Sequence, residues 1–184
     1  MKIALLIVDI QNDYFPGGKN ELVNSVEASL KVRKLLEAFR KKQLPVIHIQ
    51  HISSRAGASY FIPDTEGVQF HENVRPLPGE IIIKKHTPNS FKNTELPDTL
   101  RIMGIDQLAI CGMMTHMCID STTRAAFDYG LDCMVVNDAC ATKNLVLADK
   151  VISAENVHMS FLAALNGMFA KVVSTEQLIK QIEI

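Results

Sequence analysis

The stretch Gln107-Leu108-Ala109-Ile110-Cys111-Gly112-Met113-Met114-Thr115-His116-Met117-Cys118 decides how this chain is read. Its apolar run, residues 108–111, stops at Gly112. Six positions later Cys118 opens a segment of helical character that continues to Tyr129, with Gly130 where a helix-ending glycine is expected. A short buried strand, a glycine and a helix make one βα step of a parallel sheet. The same step puts a thiol just beyond the strand, where it is either a nucleophile or a small core residue.

The flanking sequence repeats the step. Residues 2–9 (KIALLIVD) form an apolar run too short for a core helix and closed by polar Asp9, Gln11, Asn12 and Asp13, which reads as a buried parallel strand. After a turn at Pro16, Gly17 and Gly18, the residues Val23, Val26, Leu30, Leu36 and Phe39 recur at roughly helical spacing, and Arg40, Lys41 and Lys42 suit the helix C-terminus. Further strands are expected over residues 46–49, 81–83, 107–111, 131–136 and 170–173. Helices are expected over 96–103, closed by Gly104, and over 148–168. A last helix is opened by a capping box of Ser174 and Gln177, whose side chains can each satisfy a free backbone donor. No hairpin signal breaks the alternation. The expected fold is α/β, a three-layer open sheet of about six parallel strands with helices on both faces, in a Rossmann-like order. Residues 51–80, with three prolines, three glycines and no sustained period, read either as a lid or interface arm or as a helix near 69–74.

Composition narrows the function. A chain of 184 residues is expected to form a single domain over 1–184, and a net charge of −1 spread along it supplies no reason to bind nucleic acid or a membrane surface. The apolar start is too short to span a bilayer and ends in a charge, which argues against a signal peptide and for a cytoplasmic protein. Cys111, Cys118, Cys133 and Cys140 lack C-x-x-C spacing, so reduced thiols are expected rather than a zinc site or a disulfide framework. The expected partner is a small molecule or another copy of the chain.

Ligands of such sheets sit beyond the carboxyl ends of the strands. That rule selects Asp9 after the first strand, Lys85 after the third and Cys118 after the fourth. Singly, each has an ordinary structural reading: a loop-capping acid, a solvated lysine, a core thiol. Together they make a nucleophile site, because a helix N-terminus and an ammonium favour the thiolate and a carboxylate can take its proton and pass it to a leaving amine. Backbone N–H groups at and before Cys118 could hold an oxyanion. Cys140, at the end of the fifth strand, is a weaker rival; Cys111 and Cys133 read as core.

These residues resemble the isochorismatase-like hydrolases, the cysteine hydrolase superfamily, over nearly the whole chain. The opening Ala4-Leu5-Leu6-Ile7-Val8-Asp9-Ile10-Gln11-Asn12-Asp13-Tyr14-Phe15 is similar to the family's start, with Asp9 as catalytic acid. Lys85-His86-Thr87-Pro88-Asn89-Ser90-Phe91 resembles its lysine segment, which selects Lys85 over Lys84, and residues 112–126 resemble its G-x-x-T-x-x-C stretch with Cys118 as nucleophile. The resemblance implies an Asp9–Lys85–Cys118 triad and hydrolysis of a small amide or related C–N bond through a thioester. It implies a cis peptide between Met113 and Met114 that aims the Met114 and Cys118 amides at an oxyanion. Gln11, Phe15, Phe91, Met114 and Met117 are candidate substrate contacts, and a homo-oligomer is expected.

Two departures matter. Asn89-Ser90 stands where many members have Ser-Ala, which leaves that loop's substrate contacts open. Residues 49–53 (IQHIS) lack the Asp-x-His pair with which nicotinamidases of the family hold a metal, so neither a metal nor another cofactor is expected, although His48, His51 and His71 are available as ligands. Vinyl-ether-cleaving isochorismatases do not depend on a cysteine, so Cys118 favours amide chemistry. The alternatives are ether hydrolysis with Asp9 as the acid, or a binding or redox-responsive protein on the same fold. One geometric tension remains: a sheet order of 3-2-1-4-5-6 sets the third strand about 10 Å from the first, so Lys85 would have to turn back through its loop.

Overall fold

A computed structural model describes residues 2–183. In chain order the elements are β1 (Ile3–Val8), α1 (Ser25–Lys41), β2 (Val46–His51), β3 (Ile81–Lys85), α2 (Leu96–Met103), β4 (Gln107–Met113), α3 (Asp120–Asp128), β5 (Asp132–Ala141), β6 (Leu145–Leu147), β7 (Lys150–Ile152), α4 (Ala154–Leu165), β8 (Lys171–Val173) and α5 (Thr175–Glu183). The main sheet runs β3-β2-β1-β4-β5-β8. All of its pairings are parallel.

β1 lies at the centre because it can be buried on both sides. Ala4 to Val8 are all at 0% exposure. Its side chains alternate between two cores, as a strand's period of two requires. Leu5 and Ile7 pack with Val32, Leu36 and Phe39 of α1 and Leu178 of α5. Ala4, Leu6 and Val8 join Leu100 of α2, Ala126 of α3 and Leu162 of α4 on the other face. Each fully buried aliphatic side chain contributes roughly 1.5–3 kcal/mol from its removal from water. The capping box opens α5 as the sequence predicts: Ser174 N donates to Gln177 Oε1 (2.8 Å) and Gln177 N to Ser174 Oγ (3.2 Å).

Several expectations are corrected. In place of one helix over 148–168 the chain has the turn and second strand of an antiparallel hairpin, β7 paired with the preceding β6, followed by the shorter α4. Ala148 turns the hairpin at φ 51, and Ser153 caps α4 by accepting from Asn156 N. The helix expected to begin at Cys118 is preceded by a π turn, Thr115–Ile119, and α3 starts only at Asp120. Along α1 the buried stripe is Ala28, Val32, Leu35, Leu36 and Phe39; Leu30, and Val23 before the helix, are 45% and 46% exposed.

Residues 51–80 form neither a free lid nor an α-helix but a strap carrying two 3-10 turns, Glu66–Val68 and Glu72–Val74. The strap is anchored by Asn12 N to Gln69 O (3.0 Å), His71 N to Ile10 O (3.0 Å) and Phe61 N to Asp13 Oδ2 (2.6 Å). Phe61, Val68 and Val74 are buried beneath it. Among the described residues no helix is long and apolar enough to cross a membrane.

Candidate active site

Three strand ends converge at one edge of the sheet. Asp9 follows β1 in a left-handed conformation (φ 54) and is 0% exposed. Lys85 ends β3, where alternation turns Lys84 outward and Lys85 inward. Its Nζ lies 2.7 Å from Asp9 Oδ2 and donates to the main-chain oxygens of Thr87 (3.1 Å) and Pro88 (3.2 Å). The sheet order does put β2 between β3 and β1. The lysine's methylene arm bridges that gap past the end of β2, where Nζ comes within 3.2 Å of His51 Nδ1.

The thiol reaches the same place through a crowded strand end. Gly112 (φ 126) passes β1 so closely that a Cβ there would meet Val8 O at 2.0 Å, a contact no other residue could accept. The Met113–Met114 peptide is cis, and the π turn then carries Cys118, 1% exposed, into α3. A ring nitrogen of His51, the Cys118 Sγ and an Asp9 oxygen all lie within 4.8 Å of one another. Thr115 ties this turn to the end of β5, with its hydroxyl 3.3 Å from Ala141 O and 2.9 Å from His158 Nδ1. On the other side Thr122 of α3 binds Ser90 through its amide (3.1 Å) and hydroxyl (2.9 Å). Nucleophile helix and lysine loop are thereby one unit.

The electrostatics differ from the sequence expectation at one point. Burial pushes the Cys118 thiol well up and the Asp9 charge adds to this, while Lys85 opposes it without prevailing. Cys118 therefore rests as a thiol, not a thiolate. For Lys85, burial works against the ammonium, but Asp9 and then Cys118 outweigh it and hold its pKa above the ordinary value. Cys140, the rival nucleophile, sits opposite Gly112 in β5, pushed up to about 12 by burial.

The candidate substrate contacts fall into different settings. Gln11 is fully buried and clamps the end of β2: its Oε1 accepts from His51 N (2.8 Å), and its Nε2 donates to His51 O (2.9 Å) and Val68 O (2.7 Å). Both amide hydrogens are used, so Gln11 is a positioning residue rather than a free donor for substrate. Phe15 stacks on His71 at 3.6 Å, and Phe91 stacks on Tyr129 at 4.9 Å beside the end of α3. Met114 is 1% exposed, and Met117, half-buried, packs against both cores.

Two residues of this edge escaped the sequence reading. His51 appeared there only as a possible metal ligand; it ends β2, and the strand-end rule that selected Asp9 and Lys85 applies to it equally. Tyr60 belongs to the irregular strap and had no local signal; its phenol is pushed up by burial, and the Asp9 charge adds to this.

Of the other histidines, His48 is engaged by Glu80 at 2.9 Å and His71 accepts from Asn73 N. Asp9, His51 and Cys118 are a conceivable donor set, but it does not suit a resident metal. The Lys85 ammonium already lies 2.7 Å from that carboxylate and 3.2 Å from that imidazole, and a divalent ion on the same donors would meet its charge at contact distance.

Comparison with known proteins gives the family. The isochorismatase domain family matches residues 3–177. An uncharacterized isochorismatase family protein of Bacillus subtilis (strain 168), YddQ, is 52% identical over 98% of this chain and 100% of its own length. The crystal structure of a family protein from Oleispira antarctica has a TM-score of 0.94 at 42% identity, covering 97% of this chain and 96% of that one. A streptothricin hydrolase of Streptomyces noursei is 32% identical over 88% of this chain and 63% of its own. With six parallel strands in this order and a family match over nearly its full length, the chain belongs to the isochorismatase family and is a hydrolase of that family.

Proposed function

We propose that this hydrolase cleaves an amide or related C–N bond of a small molecule through a thioester on Cys118. The observation that carries the reading is the buried Lys85–Asp9 pair, 2.7 Å apart, next to a buried thiol. Because the thiol is held protonated, attack and proton transfer belong to one step. Sγ bonds to the carbonyl carbon while its proton passes to the Asp9 carboxylate, and the oxyanion is held by the Met114 and Cys118 amides. The tetrahedral species then collapses, the C–N bond breaks, and Asp9 returns the proton to the leaving amine. Water enters, gives a proton to Asp9 and attacks the thioester; release of the acid restores the thiol. Throughout, the Lys85 ammonium stays paired with the Asp9 carboxyl group, 2.7 Å from its Oδ2, and holds it in place.

Asp9 has the means for this. Its Oδ1 has no hydrogen-bond partner among the described residues and is the oxygen left to accept a proton. The ether-hydrolysis reading uses the same acid but makes no use of the thiol. Intact-protein mass spectrometry after incubation with a library of small amides tests between them. A transient acyl adduct that Cys118→Ala abolishes is expected; turnover undiminished in that variant would defeat the covalent mechanism.

The functional unit under this reading is a homo-oligomer. Val146 (69% exposed) and Val151 (68%), directly opposite one another on one face of the β6–β7 hairpin, and Leu147 (74%) on the other face leave apolar side chains in solvent of the kind that subunit contacts cover.

A further inference from the structure

His51 has no part in the acyl chemistry above, yet it is placed among the groups that perform it. Its Nδ1 is 3.2 Å from Lys85 Nζ and 3.9 Å from Asp9 Oδ2. An ammonium can only donate, so the imidazole presents a lone pair at Nδ1 and carries its hydrogen on Nε2. Burial, with Lys85 and His86 adding to it and Asp9 opposing, lowers the ring's pKa to about 4, so it is uncharged at neutral pH. The backbone behind it cannot give way, because Gln11 holds both its N–H and its C=O and is itself anchored to Val68 O. The ring also lies against Phe61, centroids 5.6 Å apart.

Exposure sets His51 apart. Its side chain is 16% exposed, whereas those of Asp9 and Lys85 are at 0% and Cys118 as a residue is at 1%. Of these four, only the imidazole meets an incoming molecule before the reacting atoms do. With one of its nitrogens within 4.8 Å of Sγ, a substrate atom bonded beside the scissile carbon falls within its hydrogen-bonding range.

We propose that His51 is the substrate-selecting donor of this site: its Nε2–H binds an acceptor oxygen on the atom next to the scissile carbonyl, favouring 2-oxo amides and similar vicinal acyl compounds over plain aliphatic amides. The assignment rests on the acyl-thiol reading and narrows it. A donor fixed in place and largely removed from water discriminates well, because a substrate lacking the acceptor leaves the donor unpaired.

Pyruvamide and propionamide, which differ only in that oxygen, provide the test. The quantity is the ratio of their kcat/KM values, compared between variants so that intrinsic electrophilicity cancels. His51→Ala is expected to lower the pyruvamide preference about tenfold or more. His51→Asn retains an amide facing Lys85 but has no donor at the Nε2 position, and should lose the preference equally. His51→Gln restores a donor there and should keep the ratio within about threefold of wild type. Thermal melts establish that each variant folds. A ratio unchanged in both His51→Ala and His51→Asn overturns the assignment, as does an equal loss in His51→Gln. The two levels fail differently: no acyl adduct on wild-type Cys118 with either amide defeats the thioester reading and this inference with it, whereas an adduct with an unchanged ratio defeats the role of His51 alone.

Discussion

Lys85 Nζ lies 2.7 Å from Asp9 Oδ2 with both side chains at 0% exposure, so neither charge has water to replace the other. Lys85→Met should therefore cost about 3–5 kcal/mol of stability by leaving a buried carboxylate unpaired. The Asp9→Asn, Lys85→Met double variant should cost clearly less than the sum of the single changes. Urea unfolding of the four proteins at pH 7 measures this; additive losses would show that the pair is not coupled.

Stability should fall as the solution is acidified from neutrality, and His51 should account for part of the slope. Its folded pKa, about 4, is depressed below the ordinary 6.5 chiefly by burial. Below that ordinary value the unfolded chain binds a proton that the folded chain refuses. The stability is thus fully present above about pH 6.5 and declines toward pH 4, by about 3 kcal/mol at most. His48, also lowered by burial, acts in the same direction. Glu80 is held down to about 2 by Arg40, Leu77 N and His48 against the opposing effect of burial, so it extends the loss below its unfolded pKa of about 4.3. Urea midpoints taken across pH 4–7 should decline less steeply in His51→Gln than in wild type; equal slopes would contradict the shift.

Gly112→Ala tests the crowded strand end. A Cβ at that position would meet Val8 O at 2.0 Å on a backbone with φ 126, and neither main-chain segment can move without disturbing the β1–β4 ladder. The expected loss is about 3 kcal/mol or more, with the nucleophile turn displaced. A variant with wild-type melting temperature and unimpaired acyl-adduct formation would show that the close approach is not required.

The hairpin surface predicts the behaviour of the protein in solution. Light scattering coupled to gel filtration should give a mass of at least two chains for the wild type. Leu147→Asp with Val151→Asp should shift it toward one chain, since both side chains are largely exposed and a charge there leaves the core untouched. A monomeric wild type would refute the homo-oligomer.

Much of the fold was legible because it follows from local chemistry. An unbroken apolar run such as residues 4–8 can only be buried on both faces, and Ser174 with Gln177 is a complete capping unit within four residues. The β6–β7 hairpin was not legible: strands of three residues show too few alternations to distinguish period two from a helical stripe, and the turn at Ala148 lacks the usual glycine or asparagine. The irregular strap hid Tyr60 for a related reason. Its placement depends on hydrogen bonds to Asp13 and Gln11, far away in sequence.

By itself, the sequence determined the succession of the six parallel strands along the chain, the βα step at Gly112 and the selection of Asp9, Lys85 and Cys118 as candidates at strand ends. The tertiary structure decided what those residues are to one another. Parallel register aligns His51 with Lys85 and sends the lysine across β2 to Asp9. Burial, which no local stretch encodes, keeps Cys118 a thiol and His51 uncharged. A residue type specifies which proton can move; the packing around it sets whether that proton stays.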